Sequence, residues 1–335
     1  MKPLLQNLAE MTTHRDHLRL EVSVLSTLML QGRIVRVRAL ELFTLERQTM
    51  VRPRSWSQGT EVVSSAHDPS SDPSRTPLAQ LPELANCIAT RERSAERSED
   101  GCHILWLPVW LGETVHACLE ITQERPFKRH QRDIITGVFL VYQNYQNLLD
   151  YSERDALTGL LNRKTFDEQF ARQQIAAVAS ALADGAPTGQ WLAVVDIDHF
   201  KQVNDRFGHL YGDEVLILVA NQLRSMFRSE DRVFRFGGEE FVVLLRSMTV
   251  EQAHSALERL RQAIQEQPIP QVGQITVSIG FAMAQGAAPV EVLGRADQAL
   301  YYAKEHGRNQ VCHYEALERS GALGKKVEHS EVELF

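Results

Sequence analysis

The chain has 335 residues, 43% hydrophobic and 24% charged, enough apolar material for about two packed domains and no composition for disorder. It carries 36 Lys+Arg against 43 Asp+Glu, net −7, divided as 17 against 18 in residues 1–150 and 19 against 25 in residues 151–335. Neither half is a basic nucleic-acid domain, and an acidic half that bound a polyphosphate would need metal cations to do so.

Cys87, Cys102, Cys118 and Cys312 form no CxxC pair and have no His at ligand spacing. This speaks against a disulfide framework or a zinc site and fits a reducing compartment. No apolar run reaches ~18 residues, so no membrane span is expected. The opening MKPLLQNLAEMTTHRDHLRLE is charged throughout and has no apolar core of a signal peptide. The sequence reads as soluble and cytoplasmic.

In chain order, residues 14–30 place Leu18, Val22, Leu25 and Met29 at helical spacing. Residues 34–46 alternate like a strand. Residues 64–77, SSAHDPSSDPSRTP, read as a loop, and 84–100 as a loose helix and loop. Two apolar runs, 103–110 and 115–122, flank Gly112 and predict a hairpin. The six histidines His14, His17, His67, His103, His116 and His130 show no metal or haem spacing. A helix then covers 127–153 with two apolar stripes. Ile134, Val138, Val141, Tyr145 and Leu148 form one, and Ile135, Tyr142 and Leu149 the other. Such width suits packing on its own domain, a parallel two-helix stalk, or one stripe for each.

Beyond Asp155 the pattern predicts a helix over 163–183, a buried strand over 191–197 and a helix over 212–227. Strands 231–236 and 240–245 flank the turn Gly237-Gly238. A helix over 250–266, a strand over 274–282, a helix over 289–305 and a short strand over 310–313 follow, and the chain after Ala316 reads as a polar tail. Together these predict an α+β/α/β class with a palm-like antiparallel or mixed sheet and helices on one side.

Asp196 and Asp198 end the strand WLAVVDID, two apart and therefore on one side. Glu239 and Glu240 follow the two glycines, which permit a tight turn and close approach to a ligand. If the segments are neighbours, their carboxylates can hold the divalent cations that nucleotidyl transfer uses. Spacing alone leaves surface decoration as the competing reading.

GGEEF at 237–241 resembles the signature of the GGDEF family, the diguanylate cyclases. RDALTGLLNR (154–163), DIDHFKQVNDRFGHLYGDEVL (196–216), ITVSIG (275–280) and ADQALYYAKEHGRNQV (296–311) are similar to the family's other motifs, in order. The resemblance implies a metal set of Asp196, Glu239 and the Ile197 carbonyl, taking Mg2+ or Mn2+. It implies guanine reading by Asn204 and Asp213, and phosphate binding by Lys201, Lys304 and Arg308. An acceptor-only carboxylate at Asp213 suits the N1–H and amine of guanine and not adenine. Glu240 takes a metal or 3′-hydroxyl role; Gly237 and Gly238 shape the turn. Phe200 lies around the nucleotide or in the core. His209 and Asp198 give structural support, and Asp155 stands at the domain entrance.

Arg228 and Asp231 form an RxxD nine residues before Gly237, with Arg259 on a later helix. This spacing resembles the family's inhibitory product site and implies feedback by cyclic di-GMP. The implied reaction is 2 GTP → cyclic di-GMP + 2 pyrophosphate, run by a homodimer, with no nucleic-acid polymer as partner. Residues 1–126 resemble a GAF-like sensory domain, chiefly in LPVWLGETVHACLEI, with a PAS-like or other sensory α/β fold as the alternative. The expected organisation is 1–126 sensory, 127–153 stalk helix, 154–318 catalytic and 319–335 tail. Competing readings are an inactive nucleotide sensor, a purine mononucleotide cyclase and an interaction scaffold.

Overall fold

The structure is a computed structural model describing residues 2–323 apart from 46, 60, 66–68, 70, 71, 100, 172, 173, 175–188, 229 and 230. The chain divides into two compact units, Met1–Ser152 and Glu153–Phe335.

The first unit runs α1 (Lys2–Met11), α2 (His17–Met29), β1 (Ile34–Leu45), β2 (Gln48–Gln58), β3 (Glu61–Ser64), β4 (Thr76–Pro77), α3 (Pro82–Ala89), β5 (Ala95–Glu99), β6 (Cys102–Leu111), β7 (Thr114–Gln123) and α4 (Arg129–Glu153). Its sheet has the order β3-β2-β1-β7-β6-β5, with β4 beside β2. The expected hairpin is β6–β7, antiparallel, with Gly112 at φ 60° in its turn. Alternation divides the strands. Val37, Ala39, Leu105, Leu107, Leu119 and Ile121 pack under α1, α2 and α4. Leu40, Leu42, Trp106 and Cys118 meet Leu84 of α3 on the other face.

Helix α4 buries Ile135, Val138, Phe139, Tyr142, Gln146 and Leu149 against its own unit. Its other side leaves Leu140, Leu148 and Tyr151 exposed at 48%, 56% and 73%. The expectation of one stripe for each partner is not met by the first stripe, since Ile134, Val138 and Tyr145 all pack on the unit's own core. Val138, placed in the same stripe as Leu148, is 2% exposed and is core. A charge there unfolds the unit instead of probing a partner.

The second unit contains β8 (Leu161–Asn162), β9 (Gly189–Ile197), α5 (Phe200–Phe207), α6 (His209–Met226), β10 (Arg232–Gly237), β11 (Glu240–Met248), α7 (Val250–Glu266), β12 (Val277–Met283), α8 (Pro289–Glu305), β13 (Val311–His313) and α9 (Tyr314–Ser320). The expected helix over 163–183 opens with a single 3-10 turn at Arg163–Thr165 and is helical to residue 171. Most of its remainder lies outside the described residues, as do His67 and tail residues 324–335. The start of the expected tail is the helix α9.

The sheet order is β13-β12-β9-β11-β10-β8, parallel at both edges and antiparallel within, so it is mixed. Helices cover both faces, not one. Trp191, Ala193, Val195 and Ile197 of β9 pack with α5, α6 and α7. Leu192 and Val194 pack with Phe166, Phe170 and α8. Every residue of β9 is buried for this reason. The close seat of α8 depends on Gly280 of β12. A Cβ there would lie 2.1 Å from the Ala296 carbonyl oxygen and 2.2 Å from the Leu300 nitrogen. Both are backbone atoms, and neither can give way cheaply. Gly280→Ala is expected to cost this unit about 3 kcal/mol as an overpacked contact, read as a lowered urea midpoint for the transition that retains the Trp191 fluorescence signal.

Candidate active site

Asp196 lies on the central strand, in register with Glu240 of β11 on one side and Ser278 of β12 on the other. The pair of Asp residues divides its work. Asp196 Oδ1 takes Lys304 Nζ of α8 at 2.8 Å. Asp198 accepts from Ser278 Oγ (2.7 Å), Thr276 Oγ1 (2.7 Å) and the Asn309 amide (3.0 Å), so its carboxylate is held by structural partners, as its expected supporting role requires.

Glu239 and Glu240 are delivered by the β10–β11 turn, where Gly237 and Gly238 adopt φ 151° and 49°. Arg235 closes that turn by donating to the Gly238 carbonyl from Nε (3.2 Å) and Nη2 (2.9 Å). Its Nη1 donates to Asp155 Oδ1 at 3.0 Å. Asp155 also accepts from the Thr158 amide and hydroxyl at 2.9 and 2.7 Å. The opening motif 154–163 is thereby fastened to the turn that carries the glutamates, and β8 pairs with β10 beside it.

A cleft of about 290 Å3 is lined by Asp196, Ile197, Asp198, His199, Phe200, Lys201, Gln202, Asp205, Glu239, Lys304 and Arg308. Seven of the residues singled out from sequence for metal or substrate therefore meet there: Asp196, Ile197, Phe200, Lys201, Glu239, Lys304 and Arg308. Glu240, Gly237, Gly238, Asn204, Asp213 and His209 stand outside that lining. Asn204 of α5 presses on Gly212 of α6, where a Cβ would lie 2.0 Å from its Oδ1. Asp213 is the next residue along α6. Phe200 is 6% exposed and belongs to the core while also lining the cleft. His209 is exposed at the start of α6. A larger groove, about 440 Å3, runs along α1 and α2 in the first unit, but its lining gathers no comparable set of charges.

Charge is crowded at the cleft. Burial pushes the Asp196 carboxyl above the usual range, and repulsion from Asp198 and Asp297 adds to it, while Lys304 pulls it back. Burial likewise raises Glu239, assisted by Asp196 and Glu240. Glu240 and Asp297 keep solvent on one side, yet the protein packed on the other raises both; Asp196 and Asp297 add to the rise of Glu240. Asp297 was not expected from the sequence. Its signal was there: it lies two helical turns before Lys304 and so shares its face. His199, also unexpected, starts α5 in left-handed backbone at φ 59°.

Arg228 is exposed just past α6, and Arg259 is exposed on α7, a helix that packs with α6 in one core. Asp231 is 8% exposed, and its carboxylate accepts the amides of Arg228 and Arg246, both at 3.1 Å. The aspartate of the RxxD shapes the turn that presents the arginine.

A carboxyl whose folded pKa is raised binds more protons folded than unfolded, so its ionisation weakens the fold as pH rises through that interval. Asp196→Asn is therefore expected to melt at a higher temperature than the parent at pH 7, with the difference closing below about pH 4, where the unfolded chain also holds the proton. Thermal melts of both proteins at the two pH values check this.

The family profile described as "Diguanylate cyclase, GGDEF domain" matches residues 152–310. Diguanylate cyclase DgcP of Pseudomonas aeruginosa is 47% identical over 161 residues, covering 47% of this chain and 23% of that protein. Diguanylate cyclase DgcM of Escherichia coli is 40% identical over 163 residues, covering 48% of this chain and 38% of that protein. The chain thus spans well under half the length of either relative. Among solved structures, the coiled coil and GGDEF domain of DgcB from Caulobacter crescentus, in complex with c-di-GMP, matches with TM-score 0.50 and 31% identity. The match covers 55% of this chain and 97% of that one. Through residues 152–310 the chain belongs to the GGDEF family.

Proposed function

We propose that the chain is a diguanylate cyclase that condenses two GTP into cyclic di-GMP and two pyrophosphates. The observation that carries this is the convergence of Asp196 and Glu239 on one cleft with Lys201, Lys304 and Arg308, and with Glu240 in register beside Asp196. Anionic oxygen donors for a cation thus stand next to basic groups for a polyphosphate.

Among the described residues, no three His, Cys, Asp or Glu side chains are gathered as a metal would gather them. The fit to a divalent ion rests on charge and donor type. Asp196, Glu239, Glu240 and Asp297 repel one another, and Lys304 is the cation set against Asp196. Hard carboxylate oxygens with excess negative charge suit Mg2+ or Mn2+. Asp196, Glu239 and the Ile197 carbonyl would hold it. When bound, such an ion neutralises charge on the phosphates and makes the attacking hydroxyl more acidic.

The chain's own groups do the rest. Lys201, Lys304 and Arg308 hold the β- and γ-phosphates and stabilise the departing pyrophosphate. Asn204 and Asp213 accept from the guanine edge and leave adenine unpaired. Glu240 faces the 3′-hydroxyl or the ion. In each condensation a 3′-oxygen bonds the partner nucleotide's α-phosphorus, the bond to pyrophosphate breaks and the hydroxyl proton leaves. Each chain holds one GTP, so two copies must face each other, and positioning supplies most of the remaining acceleration. The exposed Leu140, Leu148 and Tyr151 of α4 are the side chains available for a helix pair in a homodimer. Residues 1–126 act in this reading as a GAF-like sensory unit. Its support is an antiparallel sheet centred on β1 and β7, covered by helices on both faces.

Purified protein with GTP and Mg2+ is expected to yield cyclic di-GMP and pyrophosphate, resolved by chromatography with mass detection. Glu239→Ala is expected to reduce the rate at least ~100-fold. A cyclic mononucleotide as product, or full turnover by Glu239→Ala, would overturn the reading.

Arg228 and Arg259 are read as the arginines of a product site, since their planar forks suit phosphate and guanine. Arg228→Ala is expected to weaken cyclic di-GMP binding about tenfold or more and to lessen inhibition by added product. Unchanged affinity in calorimetry would sink this assignment.

A further inference from the structure

Arg308 stands in an unusual piece of backbone. Gly307, Arg308 and Asn309 follow α8 at φ 111°, 61° and 47°. Glycine accepts such angles freely, but two successive residues with side chains do not. A conformation of this kind persists where its surroundings over-determine it.

The surroundings are specific. The Arg308 amide donates to the Ala303 carbonyl at 2.9 Å, which closes the end of α8. The Asn309 amide donates to Asp198 Oδ2 at 3.0 Å. The Asn309 side chain accepts from Arg261 Nη1 at 2.6 Å, across 48 residues of sequence. Arg261 is itself fixed. Its Nε and Nη2 donate to Glu258 Oε1 at 2.9 and 2.6 Å, and only 12% of its side chain is exposed. Helix α7 thus reaches over to the residue next to Arg308 with a guanidinium locked by its own helix. Arg261 does not line the cleft, whereas Arg308 does.

We propose that Arg261 is a positioning residue: through Asn309 it sets where the Arg308 guanidinium stands and so tunes binding of the substrate's β- and γ-phosphates. This rests on the reading of Arg308 as a phosphate ligand. The contact is charge-assisted and short, which makes it one of the stronger single hydrogen bonds available. Loss of Arg261 leaves Arg308 in place in the sequence but frees its backbone to leave the left-handed region.

The test uses the full chain with Mg2+ and 3′-deoxy-GTP, which cannot condense, and compares it with GMP, which lacks the β- and γ-phosphates. Calorimetry is run on the parent, Arg261→Ala, Arg308→Ala and the double variant. Arg261→Ala is expected to weaken 3′-deoxy-GTP about tenfold and to leave GMP unchanged. In the Arg308→Ala background it is expected to add less than about twofold, since the two act through one contact. Asn309→Gly tolerates the positive φ and removes the acceptor, so it is expected to reproduce the triphosphate-selective loss even if Arg261→Ala folds poorly, and adding Arg261→Ala to it is expected to change affinity less than about twofold. Equal loss for GMP and the triphosphate, or an undiminished effect in the Arg308→Ala background, overturns the proposal. An Arg308→Ala protein that binds 3′-deoxy-GTP like the parent removes the underlying phosphate reading, and the proposal with it.

Discussion

Like charges must be held together at the ends of β9 and β11, and much of the second unit is arranged around that constraint. Asp196 and Glu240 are fixed opposite each other by backbone register, so repulsion cannot separate them without breaking the ladder. Burial raises both carboxyls further. The opposing attraction comes from Lys304, which requires α8 to lie close on the sheet. That approach in turn requires Gly280, the position in β12 where any side chain would strike the helix backbone. A glycine in one strand, a lysine on one helix and an aspartate on another strand are thus parts of one electrostatic arrangement.

The same economy holds around the rim. Asp198 does not add to the free charge of the cleft, because two hydroxyls and an amide hold its carboxylate. It ties the end of β9 to the loop after α8, joining residues 111 positions apart. Arg235 does the equivalent for the glutamate turn, gripping Gly238 and Asp155 with one guanidinium. Both devices put charged groups to work on backbone geometry, where a bidentate or multiply accepted contact fixes direction as well as distance. Helix α7 carries Arg259 outward and Arg261 inward, two residues apart, because a helical step of that size turns the side chains to different faces.

What the sequence disclosed follows from signal length. Helices α7 and α8 were legible to the residue, because their apolar spacing is long and their starts carry a capping Thr249 and an N-terminal Pro289. The run 191–197 was legible as a buried strand, but its five consecutive apolar residues, 191–195, meant that both faces were covered, which the expectation of one-sided helices overlooked. Strand β2 was hidden by its polar composition and by Pro53. That proline faces Leu40 next to a register shift, a place where a strand tolerates a missing donor. Strand β5, AERSE, has the charged character of an edge and gives no apolar alternation. Helix α5 buries only Phe200 and Val203, too few to show a period. The residues that meet in the cleft could be singled out because they sit in separated motifs in order. Asp297, in one of those motifs, was not read, because its signal is only the two-turn spacing to Lys304, which a solvated helix acid can share.

Helix α4 shows why a wide apolar stripe is ambiguous in sequence and less so in structure. A helix that only packed on its own sheet would need one stripe, and its far side would be polar. Here Ile135, Tyr142 and Leu149 repeat every seven residues and are buried, while Leu140, Leu148 and Tyr151 remain in solvent on the other side. Keeping large apolar groups there gives the isolated unit no packing in return. The helix is thereby divided into a committed face and an open one. The inner face is fixed by the core of the first unit, while the outer face keeps Leu140, Leu148 and Tyr151 in solvent.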